Sequence, residues 1–134
     1  MAQLWSEHVP EDRFEELYAL YVQERWTQSR QFDDVVKMIS HSDIVIVRYA
    51  EGGAIVGFAR VLTDFTFKAM IYDVIVSNDH RGRGLGSEIV EKIVQHPLLA
   101  GVRSFELYCP DRLAPFYEKL GFNKSASSIM SRKR

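Results

Sequence analysis

The segment MIYDVIVSNDHRGRGLG, residues 70–86, decides the fold. Its first part, residues 70–76, is an almost continuous apolar run that is broken by one carboxylate, Asp73. A run of this kind is typical of a strand that is covered on both faces. The polar loop that follows holds three of the chain's eight glycines, and an amphipathic helical pattern begins after it at Leu85. The segment therefore predicts a buried strand, a tight loop and a helix in succession.

The flanking sequence predicts a mixed α/β domain. Strands are predicted where β-branched and apolar residues dominate, at residues 44–47, 54–62, 68–76, 105–108 and 122–130. Helices are predicted where apolar residues recur at helical spacing, at residues 14–21, 32–39, 85–94 and 113–120. This order of elements predicts a single domain over residues 1–134, with one mixed sheet and helices on both of its faces.

Composition and charge exclude several classes of protein. Of the 134 residues, 46% are hydrophobic and 26% are charged, a profile that excludes intrinsic disorder and fibrous folds. The net charge of −1 makes a globally basic nucleic-acid-binding protein unexpected. The charge is nevertheless uneven, because residues 1–79 hold 7 Lys/Arg and 13 Asp/Glu whereas residues 80–134 hold 10 and 5. This asymmetry predicts an anionic ligand near the second part and a cationic ligand near the first, unless the charges are merely scattered and solvated.

The expected compartment is the cytoplasm. A single cysteine, Cys109, cannot form an internal disulfide, which favours a reducing compartment. The sequence contains neither a signal-peptide pattern nor an apolar run long enough to span a membrane. The four histidines and Cys109 do not show metal-ligand spacing, so no metal is expected.

The glycine-rich loop predicts an anion site. Glycines allow backbone N–H groups to approach a ligand, the following helix N-terminus favours negative charge, and Arg81 and Arg83 add positive charge. A tight turn with solvated arginines is the alternative. A dinucleotide fingerprint would need glycine at position 87 or 89, where Ser87 and Ile89 stand, and the chain has no Gly-Lys pair for a nucleoside-triphosphate loop.

Two motifs resemble those of a known family. The stretch Arg81-Gly82-Arg83-Gly84-Leu85-Gly86 fits [Q/R]-x-x-G-x-[G/A], the acetyl-CoA pyrophosphate motif of the GNAT N-acetyltransferase superfamily. Residues 72–76 resemble that family's central strand, and APFYEKLGF, residues 114–122, resembles its signature around a tyrosine. The resemblance implies a GNAT-like fold with a central, mostly antiparallel sheet. Two neighbouring parallel strands, ending near Val76 and Cys109, would be splayed apart at the cofactor site.

The resemblance also implies acetyl-CoA as the co-substrate. Backbone groups of the central strand would pair with its pantetheine arm, and the loop would hold its pyrophosphate. The implied cofactor-binding residues are Val74, Ile75, Val76, Arg81, Gly82, Arg83, Gly84, Leu85, Gly86 and Ser87.

Acetyl transfer to an amine needs a proton acceptor for the amine and a donor for the leaving thiolate. The resemblance implies that Tyr117 protonates the thiolate, with a packed aromatic as the alternative. Asp73 is the candidate base, because a carboxylate in a buried strand is costly unless it is paired. Asp73 could equally be a structural carboxylate bonded to backbone N–H groups or an arginine, which leaves Asp64 or an ordered water as the base.

Trp26 and Arg30 lie between the first two helices, where the family builds its acceptor pocket. A core tryptophan and a surface arginine are the alternative. The sequence thus predicts an acetyl-CoA-dependent N-acetyltransferase that acts on a primary amine of a small molecule or peptide, as a monomer or homodimer. A catalytically inactive acyl-CoA-binding sensor or interaction module of the same fold is the alternative function.

Overall fold

The computed structural model describes residues 3–27 and 29–134. Its α-helices are α1 (Phe14–Gln23), α2 (Phe32–Ser40), α3 (Leu85–Val94) and α4 (Ala114–Glu118). Its strands are β1 (Trp5–Ser6), β2 (Ile44–Tyr49), β3 (Ile55–Thr63), β4 (Lys68–Val76) and β5 (Ser104–Leu107). Short 3₁₀ turns lie at Glu11–Arg13, Arg25–Thr27, Asn78–His80, Pro97–Leu99 and Asp111–Leu113.

The five strands form one sheet in the order β1-β2-β3-β4-β5. The pairs β1–β2, β2–β3 and β3–β4 are antiparallel, and the pair β4–β5 is parallel. The parallel pair follows from the crossover through α3, because a parallel connection needs a long segment that returns the chain to the same end of the sheet. The predicted mixed, mostly antiparallel sheet is therefore confirmed.

Helices cover both faces of the sheet, as predicted. Alternate residues of β2 point to opposite sides, so Val45 and Val47 pack in the core beneath α1 and α2, whereas Ile44 and Ile46 pack in the core beneath α3. Burial on two faces explains why β3 is buried along its first seven residues. In α3 itself, the side chains of Ile89, Val90 and Ile93 are fully buried.

The predicted last strand over residues 122–130 is wrong. No strand follows α4 in the described part of the chain, so β5 forms the edge of the sheet. Residues 123–130 are exposed and are mostly small and polar, apart from Ile129 and Met130. Too few apolar side chains are present there to bury a strand face against α4. The two-residue strand β1 gave no signal in the sequence.

Strands β4 and β5 are paired only along the first part of β4. Their pairing runs from Lys68–Ser104 to Ile71–Leu107 and ends there. Strand β4 continues to Val76 and is paired over this stretch with β3, opposite Gly57 and Phe58. The stretch from Tyr72 to Val76 therefore presents an open strand edge on the side where β5 would have continued, which is the separation that the resemblance implied.

Candidate active site

The open edge of β4 carries unpaired backbone groups. The N–H of Ser77 donates to the carbonyl of Val56, and hydrogen-bonded and non-hydrogen-bonded pairs alternate along an antiparallel ladder. The backbone of Ile75 therefore faces β3, whereas the N–H and carbonyl groups of Val74 and Val76 face the open edge, where the Val76 carbonyl accepts from Nε2 of Gln23. Of the three residues expected to pair with an extended ligand, Val74 and Val76 are suited to it through their backbones. The Ile75 side chain instead lies in the core beneath α1.

The glycine-rich loop leads from this edge into α3. Gly82 and Gly84 have φ values of +78° and +79°, which L side chains rarely adopt. Gly84 is the N-cap of α3 and makes no side-chain cap, so the first-turn N–H groups of Leu85, Gly86 and Ser87 point out of the helix. A Cβ at Gly86 would lie 3.2 Å from Cζ of Phe116, so this glycine also allows α4 to pack closely. The loop thus has the backbone geometry of an anion site.

The two loop arginines differ in their contacts. Arg81 forms an ion pair with Glu24 at the end of α1, and its Nε lies 3.4 Å from the carbonyl oxygen of Val76. The same carbonyl accepts from Nε2 of Gln23 at 2.8 Å. Arg81 therefore fastens the loop to α1, whereas the side chain of Arg83 is exposed and available to a ligand.

Tyr117 lies on α4 across from the end of β5. It is 9% exposed, and its ring packs edge-to-face against Phe116 at 4.9 Å and Phe122 at 5.9 Å. Burial, together with the nearby Cys109, raises the pKa of Tyr117 to about 12. Both residues line a groove of about 920 Å³ alongside β5. Tyr117 is therefore packed as an aromatic and also protonated at neutral pH, which is the state that an acid needs.

Asp73 lies at a β-bulge on the open stretch of β4. The register of β3 and β4 shifts between Arg60–Tyr72 and Phe58–Ile75, so Asp73 and Val74 together oppose one residue of β3. Asp73 adopts a φ of +57°, a left-handed conformation that aspartate tolerates better than most residues. The extra residue turns the side chains of Tyr72 and Asp73 to the same face of the sheet, beneath α1.

The Asp73 carboxylate is buried and accepts three side-chain donors. Its Oδ2 accepts from Nε of Arg60 at 2.7 Å, from the Tyr21 hydroxyl at 2.8 Å and from Nη1 of Arg30 at 3.3 Å. Burial, and then the charge of Asp73, raise the pKa of Tyr21 well above its usual range. These contacts match the structural role that the sequence left open for Asp73, because two guanidinium groups and a hydroxyl hold its Oδ2.

Trp26 and Arg30 lie next to this cluster. The Trp26 side chain is 51% exposed, so it is not a core tryptophan. The Arg30 guanidinium carbon lies 5.8 Å from the centre of the Trp26 ring and 5.9 Å from that of Tyr21. The structure therefore brings Trp26, Arg30 and Asp73 together near the open edge of β4.

Asp64, the other carboxylate that the sequence offers as a base, lies in the turn between β3 and β4. Its Oδ1 accepts from the backbone N–H groups of Thr66, Phe67 and Lys68, and these bonds lower the pKa of Asp64. The turn lies at the opposite end of β4, roughly 20 Å along the strand from Val74 at about 3.3 Å per residue. Asp64 therefore holds the β3–β4 turn and is remote from the candidate site.

Sequence reasoning missed two residues of the Asp73 cluster. Arg60 stands in the apolar run of β3 and is 8% exposed, and an arginine in such a run is a signal that a buried anion lies opposite. Tyr21 lies on the buried face of α1, within the helix that the sequence predicts over residues 14–21, but its hydroxyl bond to Asp73 leaves no pattern in the sequence.

Residues 3–27 and 29–134 bring together no group of three His, Cys, Asp or Glu side chains that could hold a metal. None of the helices found in the same residues has the length and apolarity to cross a bilayer.

Curated proteins that are similar in sequence to this chain include plant N-acetyltransferases. The rice "Serotonin N-acetyltransferase 2, chloroplastic" is 32% identical over 103 residues, which cover 75% of this chain and 52% of that protein. The Arabidopsis "GCN5-related N-acetyltransferase 2, chloroplastic" is 35% identical over 75 residues, covering 56% of this chain and 29% of that protein. The chain thus spans about half, or less, of the length of these curated relatives.

A solved structure and a family model also match this chain. A crystal structure from Xanthomonas campestris, described as belonging to the GNAT family, superposes with a TM-score of 0.80 at 27% identity and covers 100% of this chain and 95% of that one. The model of the acetyltransferase (GNAT) family matches residues 5–122, which include the open edge of β4, the glycine loop and Tyr117. The chain belongs to the acetyltransferase (GNAT) family.

Proposed function

We propose that the chain is an acetyl-CoA-dependent N-acetyltransferase that transfers the acetyl group to a primary amine. The observation that carries the proposal is the separation of β4 from β5 beyond Ile71, directly beside the uncapped N-terminus of α3. An open strand edge suits a ligand with amide groups, and a helix N-terminus suits one with phosphates. The pantetheine arm and pyrophosphate of acetyl-CoA have these groups in one molecule.

The residues of the loop fit that ligand. Side chains are absent at Gly82, Gly84 and Gly86, and the exposed Arg83 supplies positive charge. The carbonyl of Val74 and the N–H of Val76 would pair with the pantetheine arm. Bound acetyl-CoA supplies an activated acyl group as a thioester.

Two proton transfers would accompany the reaction, one to the leaving thiolate and one from the acceptor amine. Tyr117, with its pKa raised to about 12, keeps its proton at neutral pH and would donate it to the departing thiolate. The amine must lose a proton before it can attack. Because Asp73 is already paired with two guanidinium groups, we assign this proton to an ordered water and give Asp73 a positioning role.

A backbone donor on β4 would stabilise the negative charge that develops on the thioester oxygen. The thioester oxygen becomes more negative as the amine attacks, and a preorganised N–H group stabilises such charge strongly. The N–H group of Val74 faces the open edge, lies farther from the glycine loop than that of Val76, and is the donor of this kind that we assign.

The relatives' names support an amine acceptor of some kind. The rice relative is named for serotonin, a primary amine, and this supports a small-molecule amine as one candidate. Both curated relatives described above are named as chloroplastic, so a cytoplasmic location stays a prediction from the sequence. A single domain and a monomeric or homodimeric state also stay predictions.

The test is turnover with a panel of acceptors. The purified chain is mixed with acetyl-CoA and with arylalkylamines, amino acids, polyamines or peptides, while free thiol and acetylated product are measured. We expect thiol release that depends on one class of acceptor and on Tyr117. Binding of acetyl-CoA without release for any acceptor would support the sensor alternative, and absence of binding would contradict both functions.

A further inference from the structure

We propose that the acceptor carries a carboxylate in addition to its primary amine, and that the guanidinium of Arg30 binds this carboxylate. The inference rests on the proposed function and names the substrate class of the same site. It starts from the charges around Asp73. Two guanidinium groups, those of Arg30 and Arg60, contact one carboxylate, and the Tyr21 hydroxyl that completes the cluster is neutral. The cluster therefore has one positive charge in excess.

The excess charge resides on Arg30 and not on Arg60. The Arg60 side chain is 10% exposed, and its Nε makes a short bond of 2.7 Å to Asp73. The Arg30 side chain is 35% exposed, and its Nη1 makes two long contacts, 3.3 Å to Asp73 and 3.4 Å to Sδ of Met38. Within residues 3–27 and 29–134, Nε and Nη2 of Arg30 make no hydrogen bond. Toward the described residues, most of the donor capacity of Arg30 is thus unused.

Arg30 is also held in place before any ligand arrives. Its carbonyl accepts from the Tyr18 hydroxyl at 2.7 Å, and its backbone N–H donates to the carbonyl of Thr27 at 3.0 Å. Its guanidinium carbon lies within 6 Å of the rings of Trp26 and Tyr21. Such fixing reduces the entropy that a salt bridge loses on binding, and the planar fork of a guanidinium matches a carboxylate with two parallel bonds.

The position of Arg30 is suited to an acceptor. Its contact partner, Asp73, precedes Val74, whose backbone faces the open edge of β4 where the thioester would lie. A compact molecule bound to Arg30 through a carboxylate would therefore have its amine near that edge. A single excess charge and one free fork match a monoanionic carboxylate better than a dianionic phosphate.

Aromatic side chains beside the two arginines of the Asp73 cluster, Trp26 next to Arg30 and Tyr72 next to Arg60, indicate what else the acceptor carries. Trp26 is half exposed beside the guanidinium. Tyr72, which the bulge turns to the same face as Asp73, packs edge-to-face with the exposed Tyr108 at 6.2 Å. These rings suit an aromatic or long apolar side chain, so the substrate class is an amino acid of this kind and not a simple amine.

The test compares acceptors that differ by the carboxylate alone. Tryptophan with tryptamine and phenylalanine with phenethylamine are titrated into the chain in the presence of CoA, which permits binding without turnover. A charge-assisted hydrogen bond contributes about 1.5–3 kcal/mol, so wild type should bind the amino acids about 10- to 100-fold more tightly. Arg30→Gln should lose this factor for the amino acids and leave the decarboxylated amines unchanged. Arg30→Lys, which keeps the charge but not the fork, should lie between.

Controls separate this inference from the proposed function. Arg30→Gln should keep its melting temperature within a few degrees and should still bind acetyl-CoA. Arg30-dependent binding of the amino acids, without thiol release from acetyl-CoA, would contradict the proposed function alone. Thiol release with equal or better binding of the decarboxylated amines would overturn this inference alone. It would also be overturned by the absence of binding for both members of each pair, or by equal losses for both members in Arg30→Gln.

Discussion

Nε of Arg60 lies 2.7 Å from Oδ2 of Asp73 across the point where β3 and β4 change register. The pair is buried beneath α1, and Asp73 holds a φ of +57° there. A buried carboxylate in a left-handed conformation is costly, so its partners must compensate for both burial and backbone strain. The pair thereby holds the bulge that turns Tyr72 and Asp73 to one face, next to the open edge of β4.

Removing the Asp73 charge should destabilise the fold. Asp73→Ala leaves Arg60 buried without its partner, which typically costs about 3–5 kcal/mol of the free energy of unfolding. Asp73→Asn should cost less, because asparagine tolerates the left-handed backbone and keeps an oxygen acceptor. Urea unfolding measures both. The matched control is Asp111→Asn, whose side chain is 96% exposed and whose change should stay within about 0.5 kcal/mol. An Asp73→Ala value as small as this control would contradict the structural role.

The pH profile of Asp73→Asn separates positioning from base catalysis. If an ordered water accepts the amine proton, the acid limb of the kcat/KM profile should persist in the variant, at the same or a lower plateau. Loss of the acid limb would instead identify Asp73 as the base. The comparison is made at temperatures where the variant is shown to be folded.

Tyr117→Phe should slow turnover without weakening binding. The change keeps the ring that packs against Phe116 and Phe122 and deletes the hydroxyl. If Tyr117 protonates the leaving thiolate, kcat should fall by about 10²–10⁴-fold. The affinity for acetyl-CoA, measured by calorimetry, should barely change, because the lost interaction belongs to the transition state. Wild-type turnover in this variant would leave Tyr117 with packing as its sole role.

Tyr117 should also make stability depend on alkaline pH. Its pKa is raised from 10.0 in a model peptide to about 12 in the folded chain, so the folded state favours the protonated form. This contribution is fully present below pH 10 and is lost as the pH rises toward 12, with a ceiling of about 2–3 kcal/mol. The free energy of unfolding should therefore fall more steeply with pH in wild type than in Tyr117→Phe.

Urea unfolding at pH 9 and pH 11 measures this difference. The control is Phe116→Leu, which changes the packing beside Tyr117 and adds no titrating group. Its difference from wild type should be the same at both pH values. A constant difference between wild type and Tyr117→Phe would show that the hydroxyl titrates alike in the folded and unfolded chain.

The sequence was most informative where the pattern was long and strong. The near-continuous apolar run predicted β4 with the bounds that the structure has, residues 68–76, because two-sided burial demands such a run. The glycine loop and α3 followed, since glycines at alternate positions before an amphipathic segment leave few other conformations. These elements form the site that we propose for acetyl-CoA.

The remainder depended on tertiary contacts. The bulge at Asp73 follows from the register in which β4 pairs with β3. The sequence of β4 alone does not indicate this register. The contacts of Asp73 with Arg60 and Tyr21, and of Arg30 with Trp26, join residues far apart in the sequence and so leave no local pattern there. The strand predicted over residues 122–130 failed because apolar residues at Ile129 and Met130 found no face to cover.

The central claim is that the glycine loop at α3 binds acetyl-CoA. The most direct measurement is calorimetric titration of acetyl-CoA into wild type, Gly84→Asp and the control Gly52→Asp. Aspartate tolerates the left-handed backbone of Gly84 and would cap α3, but its carboxylate would face the pyrophosphate. Gly52 lies in the exposed β2–β3 turn, where a Cβ would meet no atom within 4 Å. We predict wild-type affinity in Gly52→Asp and loss of most binding in Gly84→Asp, whereas equal affinities in all three proteins, or no binding by wild type, would contradict the account.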